Sequence, residues 1–153
     1  MFSLIITIVS IALVVALVAA TMYHGGDTLT QGRTTADAAA FVSGAQQIGG
    51  AQVMHISLES TPALTISGGA AGTDLVLDKY LASAPVVKGT GWTLDTAAKL
   101  VKNVALTKDV CLAIDKSAGV SAATLATGTV VAADFAGLPY GCDTATLAFS
   151  FKY

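Results

Sequence analysis

The chain contains few charged residues, and none of them stands near its beginning. Charged residues make up 12% of the 153, against roughly 25% in an average globular domain. No Asp, Glu, Lys or Arg occurs in residues 1–26, so all eight basic and ten acidic residues come later. The basic residues are scattered between Arg33 and Lys152 and form no cluster that could neutralise phosphates. Specific nucleic-acid binding is therefore not expected.

Residues suited to catalysis or metal binding are also scarce. The only histidines are His24 and His55, and neither lies in a nucleophile motif such as G-x-S-x-G. Asp74 and Asp78 are four residues apart and could form a weak calcium site on one helical face. Solvated carboxylates are the commoner outcome for such a pair. We therefore expect no enzyme, no cofactor and no metal site.

Only two cysteines occur, Cys111 and Cys142, with 30 residues between them. Paired ligand spacing such as C-x2-C is missing, which disfavours a zinc site made by these thiols and the histidines. A disulfide in an oxidising compartment is the favoured interpretation, and two buried free thiols are the alternative. In the chain-entropy model, closing a loop of this length contributes about 3–4 kcal/mol.

The beginning of the chain is one long apolar run, from Phe2 to Met22. As a helix its 21 residues would span about 31 Å, close to the thickness of a bilayer's hydrocarbon core. The run is longer than the apolar part of a secretory signal peptide, and no basic residue precedes it. Two interpretations remain: a plain membrane anchor, or a helix held in the membrane before assembly and buried in a polymer afterwards.

A second helical segment is predicted after the pair Gly25 and Gly26, which we expect to provide local flexibility. Asp27 or Thr28 would cap a new helix start. Apolar side chains then recur at helical spacing until about Ser57. Many of them are small, and small residues let a helix approach a neighbouring helix or sheet closely.

The remainder of the chain is predicted to form short strands and helices. The clearest helix is Asp109–Ala118, with Gly119 as its C-cap. A short helix is also predicted for Thr73–Leu81. Strands or extended segments are predicted at Ala63–Ser67, Trp92–Asp95, Ala98–Leu106, Thr124–Ala132 and Ala145–Phe151.

The expected fold class is α+β, with a long N-terminal helix packed on a small antiparallel β-sheet head. Residues 1–26 would form an apolar membrane or filament-core helix, and residues 27–57 its amphipathic continuation. Residues 58–153 would form the globular head that contains the cysteines.

Four features of the chain resemble the type IV pilins, particularly the type IVb branch. The first is the uncharged stretch Met1–Met22 that runs into an amphipathic helix. The second is the segment Asp78–Pro85, which contains Tyr-Leu before its Pro and is followed by Trp92. The others are the helix Val110–Val120 around the first cysteine and a second cysteine close to the C-terminus.

The chain departs from the pilin pattern at two places. Family members usually carry Glu at the fifth mature position, where this sequence has Ile5. The helix-breaking Pro that many pilins have near the end of the apolar run is also missing. In a pilin, Met1 would be either the processed terminus, after removal of a basic leader, or the initiator.

The resemblance implies a ladle-like subunit that polymerises with copies of itself into a bacterial extracellular filament, or fimbrium. It implies an inner-membrane pool before assembly and the pilus assembly machinery as a partner. Such filaments serve surface attachment, DNA transfer or uptake, and motility. The alternatives are a monomeric membrane-anchored extracytoplasmic binding domain and a minor pseudopilin of a secretion system. The residues implied for the filament core are Phe2, Leu4, Ile5, Ile8, Ile11, Val14, Leu17 and Val18.

Overall fold

The computed structural model describes residues 2–88 and 91–153, apart from the side chains of residues 24–28. It divides into two compact units, Met1–Thr34 and Thr35–Tyr153. The helices are α1 (Phe2–Glu59), α2 (Lys108–Ala118) and α3 (Ala122–Thr127). The strands are β1 (Trp92–Asp95), β2 (Leu100–Asn103), β3 (Tyr140–Asp143) and β4 (Ala148–Lys152).

The expected α+β class is confirmed. In the second unit, the last part of α1 packs against a four-stranded sheet with the order β1-β2-β4-β3. Every neighbouring pair in the sheet is antiparallel. Val101 of β2 and Phe149 of β4 are fully buried, so the two central strands supply the middle of the core.

Two glycines of α1 bring the helix close to the sheet. A Cβ atom on Gly44 would lie 2.9 Å from Cζ2 of Trp92, and one on Gly49 would lie 2.9 Å from Cε1 of Phe151. The buried side chains of Phe41 and Ile48 fill the space on either side of these contacts. The glycines therefore lower helix propensity but allow the close packing that holds this part of α1 in place.

Both hairpins of the sheet use the same turn chemistry. Asp95 ends β1, and its Oδ1 accepts a hydrogen bond from the N–H of Ala98 at 3.0 Å. Asp143 ends β3, and its Oδ1 accepts from the N–H of Ala145 at 2.8 Å. In each case an aspartate satisfies the backbone of the turn that follows it, as expected of this residue type.

Several predicted elements match the structure closely. Helix α2 corresponds to the predicted helix Asp109–Ala118, and Gly119 ends it in the left-handed region with φ 96°. Strand β1 has the predicted bounds Trp92–Asp95, and β2 lies within Ala98–Leu106. Strand β4 overlaps Ala145–Phe151 but begins only at Ala148.

The strand predicted at Thr124–Ala132 is wrong, because its first part belongs to helix α3. Ser121 caps this helix by accepting a hydrogen bond from the N–H of Thr124, and Gly128 ends it with φ 66°. The alternation of apolar and polar residues was thus overridden by a capping serine and a terminating glycine. Strand β3, Tyr140–Asp143, was not predicted at all.

The helix predicted at Thr73–Leu81 is also wrong, since the segment forms turns. The carboxylate of Asp74 accepts the N–H groups of Val76 and Leu77, and Lys79 takes φ 65°, outside the helical region. Of the strand predicted at Ala63–Ser67, the structure has one isolated bridge between Thr65 and Asp74.

Helix α1 runs from Phe2 to Glu59 as a single element, so the separate helix start predicted at Asp27 or Thr28 is wrong. Helix propensity is only a weak influence, and here the backbone hydrogen bonding continues through the glycine pair. The side chains of residues 24–28 lie outside the described part, and flexibility at Gly25 and Gly26 stays a prediction.

Candidate assembly surface

The apolar side chains at the start of α1 are exposed. The stretch Phe2–Tyr23 is the one helical segment, among the described residues, that is long and apolar enough to cross a membrane. By length and composition it fits a membrane anchor or a signal sequence. The eight residues implied for a filament core are between 48% and 86% exposed: Phe2, Leu4, Ile5, Ile8, Ile11, Val14, Leu17 and Val18.

Three hydroxyl side chains in this stretch, those of Thr7, Ser10 and Thr21, are satisfied by the helix itself. The hydroxyl of Thr7 donates to the carbonyl oxygen of Leu4 at 2.9 Å, and that of Ser10 donates to Ile6 O at 2.8 Å. Thr21 makes the same kind of bond to Val18 O at 2.9 Å. A hydroxyl bonded to its own helix can enter an apolar environment without losing a hydrogen-bond partner. The surface of this stretch is therefore apolar in hydrogen-bonding terms as well as in composition.

The part of α1 that lies in the second unit also has an uncharged exposed face. No Asp, Glu, Lys or Arg occurs from residue 38 to residue 58. A soluble amphipathic helix normally places charged residues on its solvent side. The exposed residues here are small, amide or apolar: Ala39, Ala40, Ser43, Gln46, Gln47, Gly50, Val53, Met54, Ser57 and Leu58.

The Tyr-Leu, Pro and Trp residues noted in the sequence attach the segment before β1 to α1. The indole N–H of Trp92 donates to Pro85 O at 2.7 Å, and its ring meets Phe41 edge-on at 6.1 Å between centroids. The hydroxyl of Tyr80 donates to Glu59 Oε1 at 3.2 Å. The motif has a structural role in the second unit, since its aromatic side chains fix the connection between the helix and the sheet.

His55 is completely buried near the end of α1. Its Nδ1 lies 2.8 Å from the carbonyl oxygen of Thr61, so Nδ1 is the protonated ring nitrogen. Its Nε2 lies 3.7 Å from Oδ2 of Asp78, and its ring contacts that of Tyr80 edge-on. This arrangement links the helix end to the following turns and contains no nucleophile.

The expectation that Asp74 is solvated is wrong, because its side chain is fully buried. The carboxylate accepts hydrogen bonds from Gly69 N at 2.5 Å and from Thr65 Oγ1 at 3.1 Å, besides those from the turn after it. Its oxygens are thus occupied by protein donors. Among the side chains that the structure describes, those of residues 2–23, 29–88 and 91–153, no three of His, Cys, Asp or Glu come together as possible metal ligands.

Cys111 of α2 and Cys142 of β3 form a disulfide. Both side chains are completely buried, and the bond joins the helix to the edge strand of the sheet. Asp115, one helical turn after Cys111, reaches the same strand, since its Oδ1 accepts the N–H of Cys142 at 2.7 Å.

Sequence reasoning did not single out Asp115 or Gly141, whereas Gly44 is among the small residues expected to allow close approach of the helix to a neighbouring helix or sheet. Asp115 follows Cys111 by four residues, a spacing that puts both on one face of a helix and was a usable signal. Gly141 carried no such signal. Its importance comes from the ring of Phe135 in the loop before β3, which lies where a Cβ atom would stand.

No protein-family model, curated protein or solved structure matches the chain.

Proposed function

We propose that this protein is a structural subunit similar to a type IV pilin, which polymerises into a helical extracellular filament. Copies of the apolar stretch Phe2–Tyr23 would pack against one another in the filament core, and the second unit would form the surface. Before assembly, the same stretch would hold the subunit in the inner membrane. The pilus assembly machinery would then transfer it from lipid to polymer.

The observation that carries the proposal is an exposed apolar helix in which the hydroxyls of Thr7, Ser10 and Thr21 are bonded internally. Burying its Leu, Ile, Val and Phe side chains is worth about 1.5–3 kcal/mol each, so this helix will not remain in water. Neighbouring copies can replace lipid around it without leaving these three hydroxyls unpaired. Contacts of a head-to-tail kind that do not close into a ring produce a helical filament.

The uncharged exposed face between residues 38 and 58 favours a filament over a lone anchored domain. An anchored domain whose helix faced water would gain from charged residues on that face. A subunit whose helix is covered by neighbours would be disrupted by them, because an unpaired buried charge is costly.

Electron microscopy of material sheared from cells that produce the protein tests the proposal. We expect filaments that contain this chain, identified by mass spectrometry, which also reports cleavage and N-methylation at the N-terminal peptide. Full-length protein that stays a single particle in detergent and is absent from the sheared fraction would instead indicate an anchored binding domain. Trace amounts in filaments built from another subunit would indicate a minor pseudopilin.

A further inference from the structure

The joint between α2 and β3 contains two links of different chemistry. The disulfide Cys111–Cys142 is the covalent link. The second is the hydrogen bond from the N–H of Cys142 to Oδ1 of Asp115, at 2.7 Å. Because the second link is made by a carboxyl group, its strength depends on whether that group carries a proton.

Asp115 lies in surroundings that disfavour a negative charge. Its side chain is completely buried, and its Oδ2 has no hydrogen-bond partner among the described residues. An ionised carboxylate with one donor and one unpaired buried oxygen is costly, whereas the neutral acid is much less so. Geometry alone therefore favours the protonated form.

The charged groups around Asp115 also favour its protonated form. Asp143 on β3 and Asp134 in the loop before it are both acidic and disfavour a further negative charge. The other titratable side chain on β3 is Tyr140, whose hydroxyl lies 3.3 Å from Oγ of Ser117. Helix α3 carries no titratable residue, and no basic group of the described residues lies within ion-pair distance of Asp115. On α2 itself the charged side chains, those of Lys108, Asp109 and Lys116, are exposed.

We propose that Asp115 is a proton-responsive residue at the joint between α2 and β3, whose contribution to folding stability is larger in mild acid than at neutral pH. The protein region between the two cysteines would then be held most firmly when the surroundings are acidic. This property belongs to the second unit and does not depend on filament assembly.

The sign of this pH dependence follows from the thermodynamic linkage between protonation and folding. Burial raises the pKa of Asp115 from 3.8 to about 6, the neighbouring acids add to the rise, and the Cys142 N–H opposes it. Between these two values the folded state holds a proton that the unfolded state has lost. The contribution of Asp115 to stability therefore falls as pH rises from 3.8 to about 6.

Urea unfolding of the full-length protein in detergent tests the proposal, with the fluorescence of the single tryptophan, Trp92, as the readout. The variant Asp115→Asn keeps an acceptor for the Cys142 N–H but has no titrating group. Relative to this variant, the wild type should gain up to about 100-fold in its folding equilibrium constant between pH 7.5 and pH 4, since each pKa unit is about tenfold. Carboxyls that do not interact with Asp115 contribute equally to both proteins and cancel.

Asp109→Asn is the matched control, because Asp109 is an exposed residue on the same helix. Asp109→Asn should keep the gain in the folding equilibrium constant between pH 7.5 and pH 4 that Asp115→Asn loses. If wild type and Asp115→Asn change with pH in parallel, the proposal is wrong.

Hydrogen exchange of the wild type gives a second test that does not require the variant to fold. After correction for intrinsic exchange, the Cys142 amide should be better protected at pH 5 than at pH 7.5, relative to the amide of Val101 in β2. Equal relative protection at both pH values would overturn the proposal.

Discussion

The ring of Phe135 lies directly against Gly141 of β3. A Cβ atom on Gly141 would stand 2.2 Å from Cγ of Phe135 and 2.7 Å from its Cβ. Phe135 is buried there in a small cluster with Val120 and Val130. The loop before β3 is thus held on the sheet by an aromatic ring that only a glycine can accommodate.

Gly141→Ala should destabilise the protein by about 1–3 kcal/mol, because the added methyl group overpacks this contact. The clash involves Cβ of Phe135, so a rotation of the ring cannot remove it. Urea unfolding followed by Trp92 fluorescence measures the effect. Gly137→Ala is the control, since a Cβ there meets no atom within 4 Å, and it should change stability little. Equal effects of the two substitutions would contradict the contact.

Replacing two glycines of α1 by alanine should change the stability of the protein in opposite directions. Gly50→Ala should stabilise the subunit by about 0.5–1 kcal/mol, because alanine is the better helix former and a Cβ at Gly50 meets nothing within 4 Å. Gly44→Ala gains the same propensity but places a methyl group 2.9 Å from the Trp92 ring. That ring is fixed by its bond to Pro85 O. We expect Gly44→Ala to be destabilising overall, by about 1 kcal/mol, in thermal or urea unfolding.

Asp74 should lose its stabilising contribution in acid, the reverse of Asp115. Burial alone would raise the pKa of Asp74, but its hydrogen-bond donors outweigh burial and hold the pKa below 3.8. The contribution is therefore present above pH 3.8 and disappears as pH falls through the lower value of the folded state. Asp74→Asn should destabilise the protein at pH 7, and the difference from wild type should shrink towards pH 2.

The same measurement on Asp109→Asn provides the comparison for Asp74. Because Asp109 is exposed, its replacement should lower the stability of the protein much less than the replacement of Asp74 does. A difference between wild type and Asp74→Asn that stayed constant from pH 7 to pH 2 would refute the assigned hydrogen-bond network.

Removing the disulfide should lower the free energy of unfolding by about 3–4 kcal/mol, the value expected for a loop of this length. The double variant Cys111→Ala, Cys142→Ala should unfold at lower urea concentration than the wild type. Dithiothreitol should destabilise the wild type and leave the double variant unchanged. A similar response of both proteins to the reductant would show that the bond does not stabilise the fold.

Val14→Asp should abolish filament formation. A carboxylate at the middle of the apolar stretch costs about 2.5–3.5 kcal/mol in a membrane and remains unpaired in a helical core. Val14→Thr is the matched control: it has nearly the same shape, and its hydroxyl can bond to its own helix as Thr7 does. Filaments counted by electron microscopy, with membrane fractionation of the same cells, separate an assembly defect from failed insertion. Normal filaments of Val14→Asp would contradict a core position for this residue.

Much of the fold could be predicted because it depends on neighbours in the chain. The bounds of α2, the ending of that helix at Gly119 and the extended segment Trp92–Asp95 follow from local periodicity and capping. Two of the failed predictions lie at Thr73–Leu81 and Thr124–Ala132. There, the side chains of Asp74 and Ser121 accept hydrogen bonds from backbone N–H groups, which an apolar pattern does not reveal.

The functional features can also be separated into those that the sequence determines and those that only the tertiary structure determines. An uncharged apolar beginning and one pair of cysteines are properties of the sequence alone, because they need only composition and length. The burial of Asp115 and the close contacts of Gly44 and Gly141 were decided by the tertiary structure. Asp115 and Gly44 depend on atoms from distant parts of the chain, the Cys142 N–H and the Trp92 ring, and Gly141 depends on how the loop that carries Phe135 folds back onto β3. Such contacts form only when the chain folds, since no local rule fixes which residues far apart in sequence will meet.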